Sequence, residues 1–137
     1  MLYPIAALAF FTFVFLYLSF FRRYNAVKKG SVSIKYFQRF DPGVSASPVP
    51  VHIELGRNHF TNLFETPVLF YTAGVLSIAL GIDSSLLNLI AWLYVAARVV
   101  HCFIHCGTNN VIHRMLVFQF SIILLMAMWV LLLVLAP

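Results

Sequence analysis

Residues 113–136 read HRMLVFQFSIILLMAMWVLLLVLA. After Arg114 this stretch contains no charged residue, and it exceeds the about 20 residues that an apolar helix needs to cross a bilayer. A helix pairs its own backbone N–H and C=O groups, as a lipid environment without water requires. The stretch therefore predicts a transmembrane helix.

Three further apolar stretches precede it, at residues 2–21, 58–80 and 86–106. Of the 137 residues, 62% are hydrophobic and only 9% are charged, whereas a soluble domain averages about 25% charged residues. This composition excludes a water-soluble monomer, and it also excludes a disordered chain. We predict an all-α integral membrane protein, a bundle of four transmembrane helices that forms one domain over residues 1–137.

The connection at residues 22–57 carries most of the nine Lys and Arg residues. The positive-inside rule places such a loop in the cytoplasm, so we expect both termini on the opposite side. The centre of the loop, residues 41–50, is rich in proline and serine, which predicts irregular structure. Because the basic charge lies between spans, it favours contact with anionic membrane lipids and argues against a nucleic-acid partner.

Polar side chains inside the predicted spans form two stripes at helical spacing. The second span carries Asn58, Asn62, Glu65 and Thr72, and the third span carries Arg98, His101 and His105. An ionisable group at the bilayer centre costs about 2.5–3.5 kcal/mol on insertion scales, so we expect the two stripes to face each other. Glu65 and Arg98 are predicted to form an ion pair within one chain.

Two interpretations of this polar cluster stay open. The first is that an ion pair alone holds two helices together. The second is a site for a polar or anionic ligand at the cytoplasmic boundary, which would also use Arg114 at the start of the fourth span. His52, His59 and His113 flank this boundary and are expected to be solvated or lipid-facing.

Two cysteines, Cys102 and Cys106, lie four residues apart in the third span. This spacing places them poorly for a disulfide bond with each other. They are offset by about 100° around the helix from His101 and His105, so the third span does not supply a combined His and Cys ligand set. We predict no disulfide and no metal site, and a helix-packing role for the thiols.

The stretch Asn62-Leu63-Phe64-Glu65-Thr66-Pro67 resembles the N-x-x-E-x-P signature of the MAPEG family, the membrane-associated proteins of eicosanoid and glutathione metabolism. Arg98-Val99-Val100-His101 resembles the R-x-x-H of that family's third helix. The four spans and the long basic loop after the first span also match. The resemblance covers essentially the whole chain and is nearest to uncharacterised bacterial members.

The resemblance implies a homotrimer that binds glutathione between neighbouring subunits near the cytoplasmic side. It assigns glutathione binding to a set of positions in the second and third helices: Asn58, Asn62, Glu65, Arg98, His101 and His105. Arg114 matches the arginine that stabilises the glutathione thiolate in the enzymes of the family. The sequence departs from those enzymes at Asn58, where they usually carry arginine, and at His105, where they often carry tyrosine.

Small side chains of the second span favour close contact between helices in the expected trimer. They are Ala73, Gly74, Ser77 and Gly81. We therefore expect the second helix and its neighbours to build much of the interface between subunits. Gly81 is also predicted to end this helix, and Asp83 or Ser84 to cap the next one.

The function implied by the resemblance is a glutathione- or thiol-dependent transferase or peroxidase. Its substrates would be lipophilic electrophiles or lipid peroxides, and its location a bacterial inner membrane. The alternative is a non-catalytic lipid-binding or scaffolding protein of the same membrane, so whether the chain is an enzyme stays open. The expected partners are membrane lipids, further copies of the chain and a lipophilic small molecule.

Overall fold

A computed structural model describes residues 1–40 and 49–137. Within these ranges the chain forms five helices and no strand: α1 (Leu2–Lys28), α2 (Tyr36–Arg39), α3 (Val51–Ala79), α4 (Ser85–Cys106) and α5 (Val111–Leu135). The irregular loop predicted at residues 41–50 falls outside the described residues for positions 41–48. The described part confirms the all-α class.

The first two long helices reach further than the apolar stretches that predict them. α1 continues to Lys28 and α3 already begins at Val51. Helical hydrogen bonding does not need apolar side chains, so a helix can extend beyond the segment that hydropathy marks. α1 ends where Gly30 adopts a left-handed backbone conformation with φ of 70°, which glycine reaches at little cost.

The turn between α3 and α4 has the predicted chemistry. Gly81 has a φ of 66°, and Ile82 N–H donates to the carbonyl oxygen of Ser77 at 2.9 Å. This is a left-handed glycine stop at the end of a helix. Ser84 then caps α4, since its hydroxyl oxygen accepts a hydrogen bond from Leu87 N–H at 3.3 Å.

Three of the four long helices are apolar and long enough to cross a membrane, namely α1, α4 and α5. The protein is therefore an integral membrane protein whose helices contact lipid. α3 does not reach the same level of apolar composition, because the polar stripe of the second span lies within it.

α4 is the central helix of the bundle. In its most apolar stretch 44% of the residues are buried, against 22% in α1 and in α5. The main core surrounds it and includes Leu8, Phe70, Ala73, Leu87, Ala91, Tyr94, Leu125 and Met128. The rings of Phe70 and Tyr94 stack with their centroids 4.6 Å apart, which fixes α3 against α4 at mid-length.

The buried face of α3 differs from the face that the polar stripe predicts. It runs through Gly56, His59, Leu63, Pro67 and Phe70, at intervals of three and four residues. The stripe lies beside this face: Asn62 is half-buried, and Asn58, Glu65 and Thr72 are exposed. The expectation that the whole stripe faces α4 is therefore wrong.

The small residues of α3 pack inside the chain. Ala73 and Ser77 are fully buried, and a Cβ atom added to Gly74 would lie 2.5 Å from Cδ1 of Ile5 on α1. Close approach of α1 therefore uses these positions, and they are not available to a second subunit in the way the sequence suggests. Gly81 is exposed in the turn. A trimer interface that involves α3 stays a prediction.

Candidate functional site

A polar cleft of about 450 Å³ opens between α3, α4 and α5. Its lining consists of Asn58, Asn62, His101, His105, Val111, Arg114, Met115 and Phe118. Its volume lies within the range of about 300–1,000 Å³ that is usual for small-molecule sites. The fold thus brings together most of the residues that the sequence singles out, from three separate helices.

The start of α5 holds Arg114 at the cleft. Asn110 caps the helix, because its Oδ1 accepts hydrogen bonds from Ile112 N–H at 3.0 Å and His113 N–H at 3.1 Å. Asn109 adopts a left-handed conformation with φ of 49°, and its Oδ1 accepts from Arg114 Nη1 at 3.0 Å. Arg114 is therefore oriented by the turn itself, beside a helix N-terminus whose dipole also favours anions.

Arg98 lies beneath the cleft and is fully buried. Its Nη2 donates a hydrogen bond of 2.8 Å to the backbone carbonyl oxygen of Asn62. Its Cζ lies 5.7 Å from the centre of the Phe118 ring, within cation–π range. Nε and Nη1 have no hydrogen-bond partner among the described residues. Arg98 thus supports two residues that line the cleft without lining it.

The predicted ion pair between Glu65 and Arg98 is wrong for the single chain. Glu65 is exposed, and no carboxylate in residues 1–40 and 49–137 pairs with the Arg98 guanidinium. The orientation of α3 turns Glu65 outward and presents the backbone of Asn62 to α4 instead. Glu65 also does not line the polar cleft.

His59 is a buried residue that the sequence places wrongly in solvent or lipid. Its ring centroid lies 4.7 Å from Phe15, 5.7 Å from His101 and 5.3 Å from His105. His101 and His105 are 5.7 Å apart. The three imidazoles therefore form one histidine cluster, defined by His59, His101 and His105.

The spacing of residues in α3 contains a signal that His59 is buried. His59 falls between Gly56 and Leu63, at the intervals that continue to Pro67 and Phe70. That periodicity marks the buried face more faithfully than the polar stripe does. His52 and His113 are exposed, as predicted.

An apolar cleft of about 500 Å³ lies on the other side of α4, against α1. It is lined by Phe11, Val14, Phe15, Leu18, Ser19, Arg22, Val99, Cys102, Phe103, Cys106 and Gly107. Both cysteines are free thiols, as predicted, with Cys102 buried and Cys106 half-buried. Phe15 packs on His59, so the histidine cluster lies between the apolar cleft and the polar cleft.

The chemistry of the polar cleft follows from its donors. Arg114 offers a permanent positive charge with N–H donors beyond the one used by Asn109. The amides of Asn58 and Asn62 add neutral hydrogen-bonding groups at the exposed side. Met115 and Phe118 provide an apolar wall. Such a cleft suits a ligand that has anionic groups beside an apolar or soft part.

Comparison with known families identifies the family of the chain. The model of the MAPEG family matches residues 1–134, and the chain belongs to that family. This confirms the resemblance drawn from the two short motifs. Comparisons with curated proteins and with solved structures gave no match.

Proposed function

We propose that the protein is a glutathione- or thiol-dependent transferase or peroxidase that acts on lipophilic electrophiles or lipid peroxides. Membership of the MAPEG family, which is generally associated with glutathione, supports this proposal. The observation that carries it is the polar cleft, which is lined by Arg114 and has an apolar wall formed by Met115 and Phe118. A thiol peptide and a lipophilic substrate need these two environments next to each other.

The residues of the cleft fit glutathione as a polyanionic ligand. Arg114 can pair with a carboxylate or a thiolate, and Asn58 and Asn62 can bind peptide groups. Beneath them, the Arg98 side chain has two buried nitrogens without a partner among the described residues, and its positive charge next to the cleft favours an anionic ligand. Asn58 replaces the arginine that the enzymes of the family usually carry, so this binding has one charge fewer than theirs.

Glutathione, when bound, supplies a thiol whose thiolate form is the nucleophile. The part of Arg114 in this chemistry is to stabilise the negative charge on sulfur. Asn109 fixes the guanidinium at one end by its 3.0 Å hydrogen bond, so little reorganisation is needed. His101 and His105 are buried residues that also line the cleft. Met115 and Phe118 position the lipophilic substrate by apolar contact.

The proposed assembly is a homotrimer in which α3 crosses the membrane together with α1, α4 and α5. Glu65 supports it, because this exposed carboxylate lies beside Phe64, Val68 and Leu69, which are 52%, 51% and 52% exposed. A charged group surrounded by lipid-exposed side chains is costly in a bilayer. A neighbouring subunit over this face would remove Glu65 from lipid and could add its own residues to the cleft.

The proposed location is a bacterial inner membrane with the basic connection in the cytoplasm. Arg22 and Lys28 near the end of α1 and Arg57 near the start of α3 place positive charge at one end of the bundle. The polar cleft lies at this same end, since Asn58 follows Arg57 directly. The orientation therefore makes the cleft accessible to cytoplasmic glutathione.

Calorimetric titration of the detergent-solubilised protein with glutathione tests the proposal. We expect saturable binding, and an ultraviolet difference spectrum showing thiolate at neutral pH. Assays would then follow conjugation of a lipophilic electrophile and reduction of a fatty-acid hydroperoxide, in which two thiols are oxidised to a disulfide. S-methyl glutathione is the matched control, because it keeps the carboxylates and cannot form a thiolate. Absence of glutathione binding would contradict the proposal.

A second candidate function is non-catalytic lipid binding, and the apolar cleft favours it. This cleft is open between α1 and α4, is lined mostly by aromatic and aliphatic groups, and has Arg22 among its residues. An acyl chain with an anionic head group would match both parts. Binding of a fluorescent fatty acid that Arg22→Ala weakens, in a protein that does not bind glutathione, would select this candidate.

A further inference from the structure

His59 reaches across from α3 to the two cysteines of α4. One of its ring nitrogens and the Sγ atoms of Cys102 and Cys106 all lie within 4.8 Å of one another. The residues of α4 alone do not form a metal site, since its histidines and cysteines are offset by about 100° around the helix. The third donor comes from another helix and joins the cysteines on their own side.

The surroundings of His59 leave its nitrogens without another role. The residue is fully buried, and neither Nδ1 nor Nε2 has a hydrogen-bond partner among the described residues. Its ring neighbours are Phe15, His101 and His105, and none of them donates to it or accepts from it. In a buried imidazole at least one nitrogen normally has a hydrogen-bond partner, because two unpaired nitrogens incur the full desolvation penalty.

We infer that His59, Cys102 and Cys106 form a binding site for a thiophilic metal ion such as Zn²⁺. Two thiolates and one imidazole are a donor set that zinc uses with a fourth position left open. Zinc–sulfur bonds of about 2.3 Å and zinc–nitrogen bonds of about 2.0–2.1 Å place tetrahedral ligand atoms about 3.5–3.8 Å apart. The three ligand atoms lie within 4.8 Å of one another, so side-chain rotation can bring them into this range.

Charge balance favours a divalent ion at this depth. Zn²⁺ with two thiolates and a neutral imidazole is neutral overall, which suits an apolar environment. Binding releases the protons of both thiols. Arg22 lines the same cleft as the cysteines and adds a positive charge that favours the thiolate form. The open fourth position would face the apolar cleft, which both cysteines line.

Titration of the metal-free, detergent-solubilised protein with Co²⁺ as a spectroscopic substitute tests the site. We expect one Co²⁺ per chain, with sulfur-to-metal charge-transfer absorption that added Zn²⁺ removes. Since the chain has two cysteines, this band reports on Cys102 and Cys106. Cys102→Ser/Cys106→Ser should abolish it, and His59→Gln should weaken binding at least tenfold.

Exposed histidines provide the matched controls, because His52→Gln and His113→Gln should leave the band and the stoichiometry unchanged. If the His59 or cysteine variants fail to fold, the metal site is tested by alkylation of the unsubstituted protein. Zn²⁺ should then slow modification of Cys102 and Cys106 at least tenfold. Equal alkylation rates with and without Zn²⁺, or a Co²⁺ complex that lacks the charge-transfer band, would overturn the inference. These measurements contain no glutathione, so they are independent of the proposed enzyme activity.

Discussion

Arg98 of α4 donates a 2.8 Å hydrogen bond to the main-chain carbonyl oxygen of Asn62 on α3. The acceptor belongs to the backbone, so substitution of the Asn62 side chain does not remove it. Pro67, one turn further along α3, has no N–H to offer the preceding turn. The guanidinium joins α4 to the backbone of α3 one residue before Leu63, whose carbonyl oxygen Pro67 leaves without its helical donor.

The first prediction concerns this contact. Arg98→Ala should lower the free energy of unfolding by about 2–5 kcal/mol, as emptying a large buried site does, whereas Arg98→Met should cost less because it keeps the volume. A double-mutant cycle of Glu65→Gln with Arg98→Met, measured by denaturant unfolding in micelles, should give a coupling below about 0.5 kcal/mol. A larger favourable coupling would show that Glu65 and Arg98 form the ion pair, contrary to the described geometry.

Arg114 is the subject of the second prediction. If its guanidinium stabilises the thiolate, Arg114→Ala should reduce kcat/KM for conjugation by about 10²–10³-fold, the usual loss of a preorganised charge donor. Helix content and assembly should be unchanged, because among the described residues the Arg114 guanidinium bonds to the Asn109 side chain, which lies in the preceding turn. His113→Ala is the control: His113 is exposed and does not line the cleft. Equal activity of both variants would remove Arg114 from the mechanism.

The third prediction compares two buried glycines of α3. Within the part of the chain that the structure describes, a Cβ atom at Gly56 would meet nothing within 4 Å, whereas one at Gly74 would meet Ile5 at 2.5 Å. Gly56→Ala should stabilise the protein by up to about 1 kcal/mol through helix propensity. Gly74→Ala should lose that gain or destabilise by about 1–3 kcal/mol through overpacking.

Truncation of Ile5 tests why Gly56→Ala and Gly74→Ala should differ in their effect on stability. In an Ile5→Ala background, Gly74→Ala should raise the free energy of unfolding, since the Ile5 atoms that its Cβ would displace are absent. Unfolding of all four proteins in the same detergent measures the coupling. Identical effects of the two glycine substitutions in the unmodified chain would mean that α1 does not approach α3 at Gly74.

The fourth prediction separates the two capped helix starts. Asn110→Ala and Ser84→Ala should each cost about 0.5–2 kcal/mol, because each removes a side-chain acceptor at an N-terminus. Only Asn110→Ala should also weaken glutathione binding, since the α5 start carries Arg114 and the α4 start lies at the opposite end of the bundle. Asn110→Asp should retain both properties. Loss of binding in Ser84→Ala would indicate a global effect instead.

The sequence predicts the helices and their turns because those depend on local chemistry. Gly81 and Ser84 act within a few residues of their own backbone. The stripe of Arg98, His101 and His105 is likewise recovered as a buried face of α4. Charged and polar groups on an apolar helix have few stable places, so their spacing identifies an inward face.

The orientation of α3 is not predictable in this way. Its apolar residues occur all round the helix, with Leu63 and Phe70 buried but Phe64 and Leu69 exposed. Lipid is as apolar as the protein core, so hydrophobicity does not distinguish the two environments. The polar stripe then guides the prediction of the buried face of α3. An error of about one residue in the position of that face moves His59 from the core to the surface. The contacts of α1 with Gly74 follow from the same unpredicted rotation.

Because α4 lies between the two clefts, an insertion or deletion within it would change which of its side chains face each cleft. Each residue advances a helix by about 100°, and the histidine and cysteine pairs differ by one position. Deletion of a residue between Leu87 and Arg98 would turn the thiols toward the polar cleft and the histidines away from it. Insertion would bring the histidines to the apolar cleft. Length variation among relatives should therefore fall in the connections, while α4 keeps its register.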